Sequence, residues 1–437
     1  MENSKREYYN KMSVKELMAL AEQGDSEAQS RLGGRYWRGE GVRKNFKKAV
    51  EWYTKAAKQG DFGAQNNLGV CYARGKGVEK DPVKAVEWYT KAAEQGAMGA
   101  QWNLGACYYN GTGVEKDYKK ALEWYFKAAE QGDSWSQNDI GICYLNGYGV
   151  EKDLQKAVEW ITKSAKQGYA TAQYNLARCY MDGEGVEQDM KKAAGLFSKA
   201  AEQGHKWSQN NLGLCYEYGD GVRKNYKKAV EWFTKAAEQG VDMAQYHLAE
   251  CYNKGYGVNK DHKKEVEWLI KAAKQGHIGS IFNLAVCYEI GSGIEKDQKH
   301  AVKLYLEAAN QGDAWAQHNL ARCYANGEGV RKNYKKAFEW YTKSAEQGDY
   351  KAQYSLAVCY QNGYGIKKDI EKAKEWFTKA AEQGHKDAQI ILIDQFGVDP
   401  LKDISGQPIV EEPLSQQLDM DVFKEFDENK DFNDFPF

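Results

Sequence analysis

The apolar positions of this chain fall in two alternating helical stripes. Within residues 61–96, Ala64, Leu68, Cys71 and Tyr72 recur at i, i+4, i+7 and i+8, the spacing of one buried stripe on a helix. After a break, Ala85, Trp88, Tyr89, Ala92 and Ala93 repeat that spacing. The break carries its own chemistry. Gly75 and Gly77 suit a turn that needs positive φ, Asp61 and Asp81 are helix caps, and Pro82 falls at a first helical position, where its missing N–H costs nothing. The pattern predicts a helix hairpin that Gly96 ends. Ala92 and Ala93 let the two helices approach, and Trp88 is expected to fill the seam between them.

That unit is copied along the chain. Cysteines stand at 71, 107, 143, 179, 215, 251, 287, 323 and 359, each 36 residues after the last, and Gln-Gly pairs keep the same step from Gln23-Gly24 to Gln383-Gly384. A fixed period of this length marks an array of helix hairpins, about ten here, because one hairpin cannot bury its own stripe and must stack on the next. The expected organisation is an N-terminal capping half-repeat over 1–24, ten repeats over 25–384, a C-terminal capping helix over 385–397 and a tail over 398–437. Ser13-Val14-Lys15-Glu16 reads as a capping box opening the first of these, and Gln395 replaces the cysteine in the last helix. Outside the stripes, Glu87 precedes Lys91 by four residues and the order recurs in other repeats, so these side chains are expected to pair on a solvated face.

Charge changes the picture at one end. Lys and Arg number 61 against 62 Asp and Glu, yet residues 398–437 hold 11 acidic and 3 basic residues, which leaves the array basic. The tail is expected to be disordered. Leu418, Val422 and Phe426 would align on one short helix beside Phe423, the pattern of a linear motif, for which the basic array itself is the nearest candidate partner, a second protein and no specific role being the alternatives. No apolar run approaches the roughly 18 residues of a membrane span, and the charged start of the chain is followed by no apolar stretch, so a cytoplasmic protein that does not bind membranes is expected. Equivalent helices of neighbouring repeats lie about 8–10 Å apart, too far for their single cysteines to bridge, so the thiols are expected to be free.

Chemistry-bearing motifs are absent from the pattern. The cysteines lie in the buried stripe and behave as small hydrophobes. Seven histidines, at 205, 247, 262, 277, 300, 318 and 385, show no metal-ligand spacing, and Gly75-Lys76-Gly77 is a turn without the rest of a phosphate loop. The expectation is a protein without catalytic residues, metal or cofactor. Most lysines lie beside Glu on the second helices, which is no phosphate track, so no nucleic-acid partner is expected.

Ala64, Leu68, Gly69, Tyr72, Gly75, Gly77, Val78, Asp81, Lys84, Ala85, Trp88, Ala92, Ala93 and Gly96 together resemble the Sel-one-like repeat, a relative of the tetratricopeptide repeat, and the likeness runs over 13–397. The resemblance implies an all-α, right-handed α-solenoid of helix-turn-helix repeats that acts as a scaffold or adaptor for protein partners. One cysteine-rich bacterial branch of that family is described as binding penicillin or hydrolysing β-lactams, which is the alternative reading. This chain departs from that branch in carrying one cysteine per repeat instead of two, and it is expected to lack a signal peptide.

Function is expected where the copies differ. Counting from Asp61 as position 1, the changing positions are 3, 6, 10 and 13 of the first helix, opposite the buried stripe and on the side that would line a concave groove. Of 13 tryptophans, eight occupy the Trp88 position and the other five, Trp37, Trp102, Trp135, Trp207 and Trp315, fall on this variable stripe. Tyr109, Tyr174, Tyr246, Phe282 and Tyr354 join them, with Arg178, Glu250 and Arg322 as charged contacts. Flat aromatic anchors with selective polar groups are the composition of a peptide-binding surface. The competing expectation is that the rings pack against the adjacent repeat.

Overall fold

A computed structural model describes residues 8, 9 and 11–398. The candidate tail residues Leu418, Val422, Phe423 and Phe426 lie outside the described residues. Among the described residues there are 22 helices, from Val14–Glu22 to Lys386–Phe396, and no strand. The chain is an all-α array of helix hairpins, each built from a first helix such as Phe62–Arg74 and a second such as Pro82–Glu94. Asp81 Oδ1 accepts from the Lys84 N–H at 3.0 Å, and Asp61 caps the preceding helix through the Ala64 N–H. The Ser13–Glu16 capping box is formed in both directions. Each first helix of a full repeat closes on a left-handed glycine, as Gly75 does at φ +66°.

The second loop glycine serves more than the turn. At Gly77, φ is +81°, and a Cβ would stand 2.3 Å from the Phe46 carbonyl oxygen of the preceding repeat. The loop therefore rests its backbone on the start of the neighbouring second helix, which no larger residue would permit. This contact contributes to the regular step between repeats.

Contacts divide the chain into two compact units, Met1–Asp261 and His262–Phe437. In each, the centre of the hairpin is filled by the residue after the expected one. Tyr89 is 4% exposed and Phe197 and Tyr305 are fully buried, whereas Trp88 is half-buried. Trp88 packs on a core cluster that includes Ala56 and Ala57 of the preceding repeat and Cys71 of its own. The indole also carries a lysine: Lys91 Nζ lies 4.3 Å from the ring centroid, and Lys271 lies 3.6 Å from Trp268. The lysines read as partners of Glu thus sit over tryptophan, because a three-residue step on a helix places them above the indole face. All nine cysteines are free and eight are buried; burial pushes the Cys71 thiol up to about 12, so it stays protonated and unreactive at neutral pH.

Candidate partner-binding face

The thirteen candidate residues divide between the two units. In the first, Trp102 is 6% exposed, donates its Nε1–H to Asp139 Oδ2 at 2.9 Å and stands edge-on to Trp135 at 4.9 Å. Trp135 reaches on to Tyr169 at 6.3 Å. Trp37 meets Phe46 edge-on at 4.8 Å, and Tyr109 lies beside the stacked pair Tyr118 and Tyr148. Tyr174 packs near Phe197 and His205, Trp207 is half-buried beside Lys206, and Tyr246 stands on His247. Arg178 is half-buried, and Glu250 accepts from Lys254 Nζ at 3.0 Å.

In the second unit Phe282 lies between Tyr305 and Trp315, at 5.9 and 6.0 Å. Trp315 is 63% exposed, in contrast to Trp102. Tyr354 stacks on His385 at 4.3 Å, and Arg322 pairs with Glu289 and, at 3.0 Å, with Glu328. The variable stripe therefore does two jobs in physical terms. Some of its rings join adjacent repeats, and others retain a free face.

Polar partners missed by the pattern of apolar residues also join the repeats. Gln95 Nε2 donates to Gln65 Oε1 at 2.7 Å, and Gln65 Nε2 donates to the Ala57 carbonyl at 3.2 Å. The same two bonds recur at Gln131, Gln101 and Ala93, and at Gln203, Gln173 and Ala165. Each buried amide so satisfies an exposed end of the preceding helix. The signal was the glutamine four residues after the first-helix cap, a polar residue kept in every repeat but the one with Ile281, beside an alanine or serine. Asparagines pair likewise, Asn103 with Asn66 at 2.9 Å and Asn175 with Asn138 at 2.8 Å. His205 and His277 act as helix caps, each Nδ1 accepting a backbone N–H from Ser208 or Ser280.

Glu217 places a perturbed carboxyl on the stripe. Burial, and after it the charge of Glu250, push its carboxyl up to about 7, against the opposing pull of Lys254 and Lys224. Its Oε2 is buried without a hydrogen-bond partner. Open clefts of about 560 and 470 Å³ lie at loops, one lined by Tyr216, Arg223, Lys224 and Lys228, the other by Tyr72, Lys80, Asp81 and Lys84. Neither lining includes a cysteine, serine or histidine. Among the described residues, no three His, Cys, Asp or Glu side chains are grouped to hold a metal ion, and no helix is long and apolar enough to cross a membrane.

Hairpins stacked through a common interior, with fixed inner contacts and a variable outer stripe, define an α-solenoid repeat protein. The chain belongs to the Sel1 repeat family, whose repeat matches residues 26–61, 63–96, 99–133, 136–169, 170–205, 208–241, 242–277, 279–313, 316–349 and 351–385. It is similar to the crystal structure of c5321, a protective antigen of uropathogenic Escherichia coli strains displaying the same fold. That likeness has 37% identity and a TM-score of 0.76, over 89% of this chain and 84% of that one. A Sel1 repeat protein from Oxalobacter formigenes matches at 29% identity and a TM-score of 0.54, over 71% of this chain and 92% of its own. Comparison with curated proteins gives no match.

Proposed function

We propose that the chain is a non-catalytic scaffold or adaptor that binds a peptide or protein segment along the variable stripe of its first helices. The observation that carries this reading is Trp315, a 63%-exposed indole held beside Phe282 on that stripe, where the other candidate rings are half-buried or, at Trp102, buried. Exposed tryptophan with a packed aromatic neighbour is a rigid anchor, the kind of residue on which interfaces concentrate their energy. Unreactive buried thiols, rather than disulfides, suit work in a reducing compartment such as the cytoplasm. The acidic segment 398–437 would compete for the same surface, so its deletion is expected to raise partner affinity.

Selection of a random dodecapeptide library on the full chain tests the reading. Enriched peptides should bind about tenfold more weakly to Trp315→Ala, a loss of about 1.4 kcal/mol, with the melting temperature little changed. An unenriched library, or peptides indifferent to every substitution on the stripe, would overturn it. Turnover of a chromogenic cephalosporin by the purified protein would overturn its non-catalytic part.

A further inference from the structure

Two positions on the variable stripe face one another across adjacent repeats: position 13 of one first helix and position 10 of the next. In the second unit they are Glu289 and Arg322, joined as an ion pair, with the Tyr305 hydroxyl also donating to Glu289. Two repeats earlier, in the first unit, the same two positions are Glu217 and Glu250. Where Arg322 supplies a guanidinium, the first unit supplies a second carboxylate.

The nearby basic side chains do not complete the Glu217 side. Lys254 Nζ is 3.0 Å from Glu250 Oε1 and His247 Nδ1 is 4.0 Å from Glu250 Oε2. Glu217 Oε2 is buried with no hydrogen-bond partner. A second acceptor on the same helix is unmet. Asn210, only 6% exposed, has a buried Oδ1 without a partner, although the equivalent Asn66 and Asn138 oxygens each accept from an asparagine one repeat on. Seven residues separate Asn210 from Glu217, two turns on one face and about 10.5 Å along the axis. Buried acceptors of this kind are costly unless a donor arrives.

We propose that this stretch of the first unit binds a basic side chain of a partner peptide, its guanidinium or ammonium seated between Glu217 and Glu250 as Arg322 is seated on Glu289, while a donor elsewhere on the same peptide meets Asn210 Oδ1. Arginine suits the site best, because a planar fork of donors can serve two carboxylates at once. The elevated pKa of Glu217, set by burial first and Glu250 second, agrees with a carboxyl that the nearby Lys254 and Lys224 do not neutralise. The inference rests on the peptide-binding reading given above and names the chemistry of its partner.

The test repeats the dodecapeptide selection on the full chain, on Glu250→Arg and on Glu217→Gln. Glu250→Arg places an arginine opposite Glu217, as Arg322 stands opposite Glu289. Peptides enriched on the unsubstituted chain should share an arginine or lysine at one fixed place. They should bind Glu250→Arg at least about tenfold more weakly, the scale of a lost charge-assisted contact, and Glu250→Arg should melt no lower than the parent. Should Glu250→Arg fail to fold, Glu217→Gln carries the same comparison. Enriched peptides without a fixed basic residue, or with binding unaffected by either substitution, overturn the basic-group assignment and leave the scaffold reading standing. No enrichment on the unsubstituted chain overturns both.

Discussion

Gly69 lies directly against the ring of Tyr89: a Cβ added to it would stand 2.6 Å from Tyr89 Cδ1 and 3.2 Å from the Ala85 carbonyl oxygen. The absence of a side chain on one helix makes the space that the ring of the other fills. Equivalent positions carry alanine at Ala177, Ala285, Ala321 and Ala357, in core clusters with Phe197, Tyr305, Tyr341 and Phe377. A methyl is thus accommodated where the ring stands about 1 Å farther off, at ordinary van der Waals distance. Gly69→Ala is expected to be near neutral, because the better helix propensity of alanine offsets the squeeze. Gly69→Val should cost roughly 1–3 kcal/mol by overpacking. Denaturant melts of the two variants check this; equal effects would show that the close approach is not the constraint.

The glutamine ladder gives a second expectation. Gln65 is 5% exposed and holds both Gln95 Nε2 and the Ala57 carbonyl. Gln65→Ala removes both bonds, while the Ala57 carbonyl keeps the Gly60 N–H and Gln95 Nε2 keeps the Lys91 carbonyl, so the loss is that of two ordinary hydrogen bonds, about 0.5–1.5 kcal/mol each. The second unit breaks this ladder with Ile281, which is 1% exposed at the same position. Gln65→Ile should therefore cost less than Gln65→Ala, since apolar contact replaces part of the lost bonding. Equal losses in thermal unfolding would argue against that substitution as a natural alternative.

Helix boundaries, caps and the repeat step were legible in the sequence because each is set by local chemistry. Asp81, Pro82 and Gly75 act within one turn of the backbone they serve. What was not legible depends on which of two adjacent rings turns inward. Trp88 and Tyr89 both fit the apolar stripe, and the room left by the small residue opposite, Gly69 here and alanine in other repeats, is filled by Tyr89 while Trp88 is half-exposed under Lys91. The variable stripe was visible as a set of positions, but burial along it was not. Trp102 is covered because Asp139, 37 residues on, holds its Nε1–H, whereas Trp315 is exposed.

That contrast separates the tryptophans experimentally. Trp135 stacks edge-on to Trp102 at 4.9 Å, so Trp135→Ala should lose the pair contact of about 0.5–1.5 kcal/mol together with buried area. Trp315→Ala removes an exposed ring and should change the melting temperature little. Asp139→Ala is expected to resemble Trp135→Ala, since it frees the Trp102 indole N–H in a covered site. Differential scanning calorimetry on the three variants distinguishes packing from surface roles. Similar losses for Trp135→Ala and Trp315→Ala would assign both rings to packing.

Glu217 predicts a stability that depends on pH in a stated direction. Burial first, and Glu250 second, raise its folded pKa from 4.5 to about 7. Below the unfolded value the group is protonated in both states and imposes no penalty. As pH rises from about 4.5 to 7 the unfolded chain releases its proton first, so the folded state is progressively disfavoured, and above about 7 the full penalty is present. The groups around it are Glu250, Lys254, Lys224 and the neighbouring Cys251, with His247 beside Glu250. His205, at the start of the same helix, acts in the opposite sense: burial, aided by Lys206, lowers it to about 4, so its contribution is present above 6.5 and is lost as pH falls. The variant Glu217→Gln isolates the first effect, since His205 is common to both proteins. Its melting temperature relative to the parent should be unchanged near pH 4 and higher near pH 8, because a neutral amide avoids the charge that the site leaves unmet. An equal difference at both values would show that the carboxyl does not titrate between them.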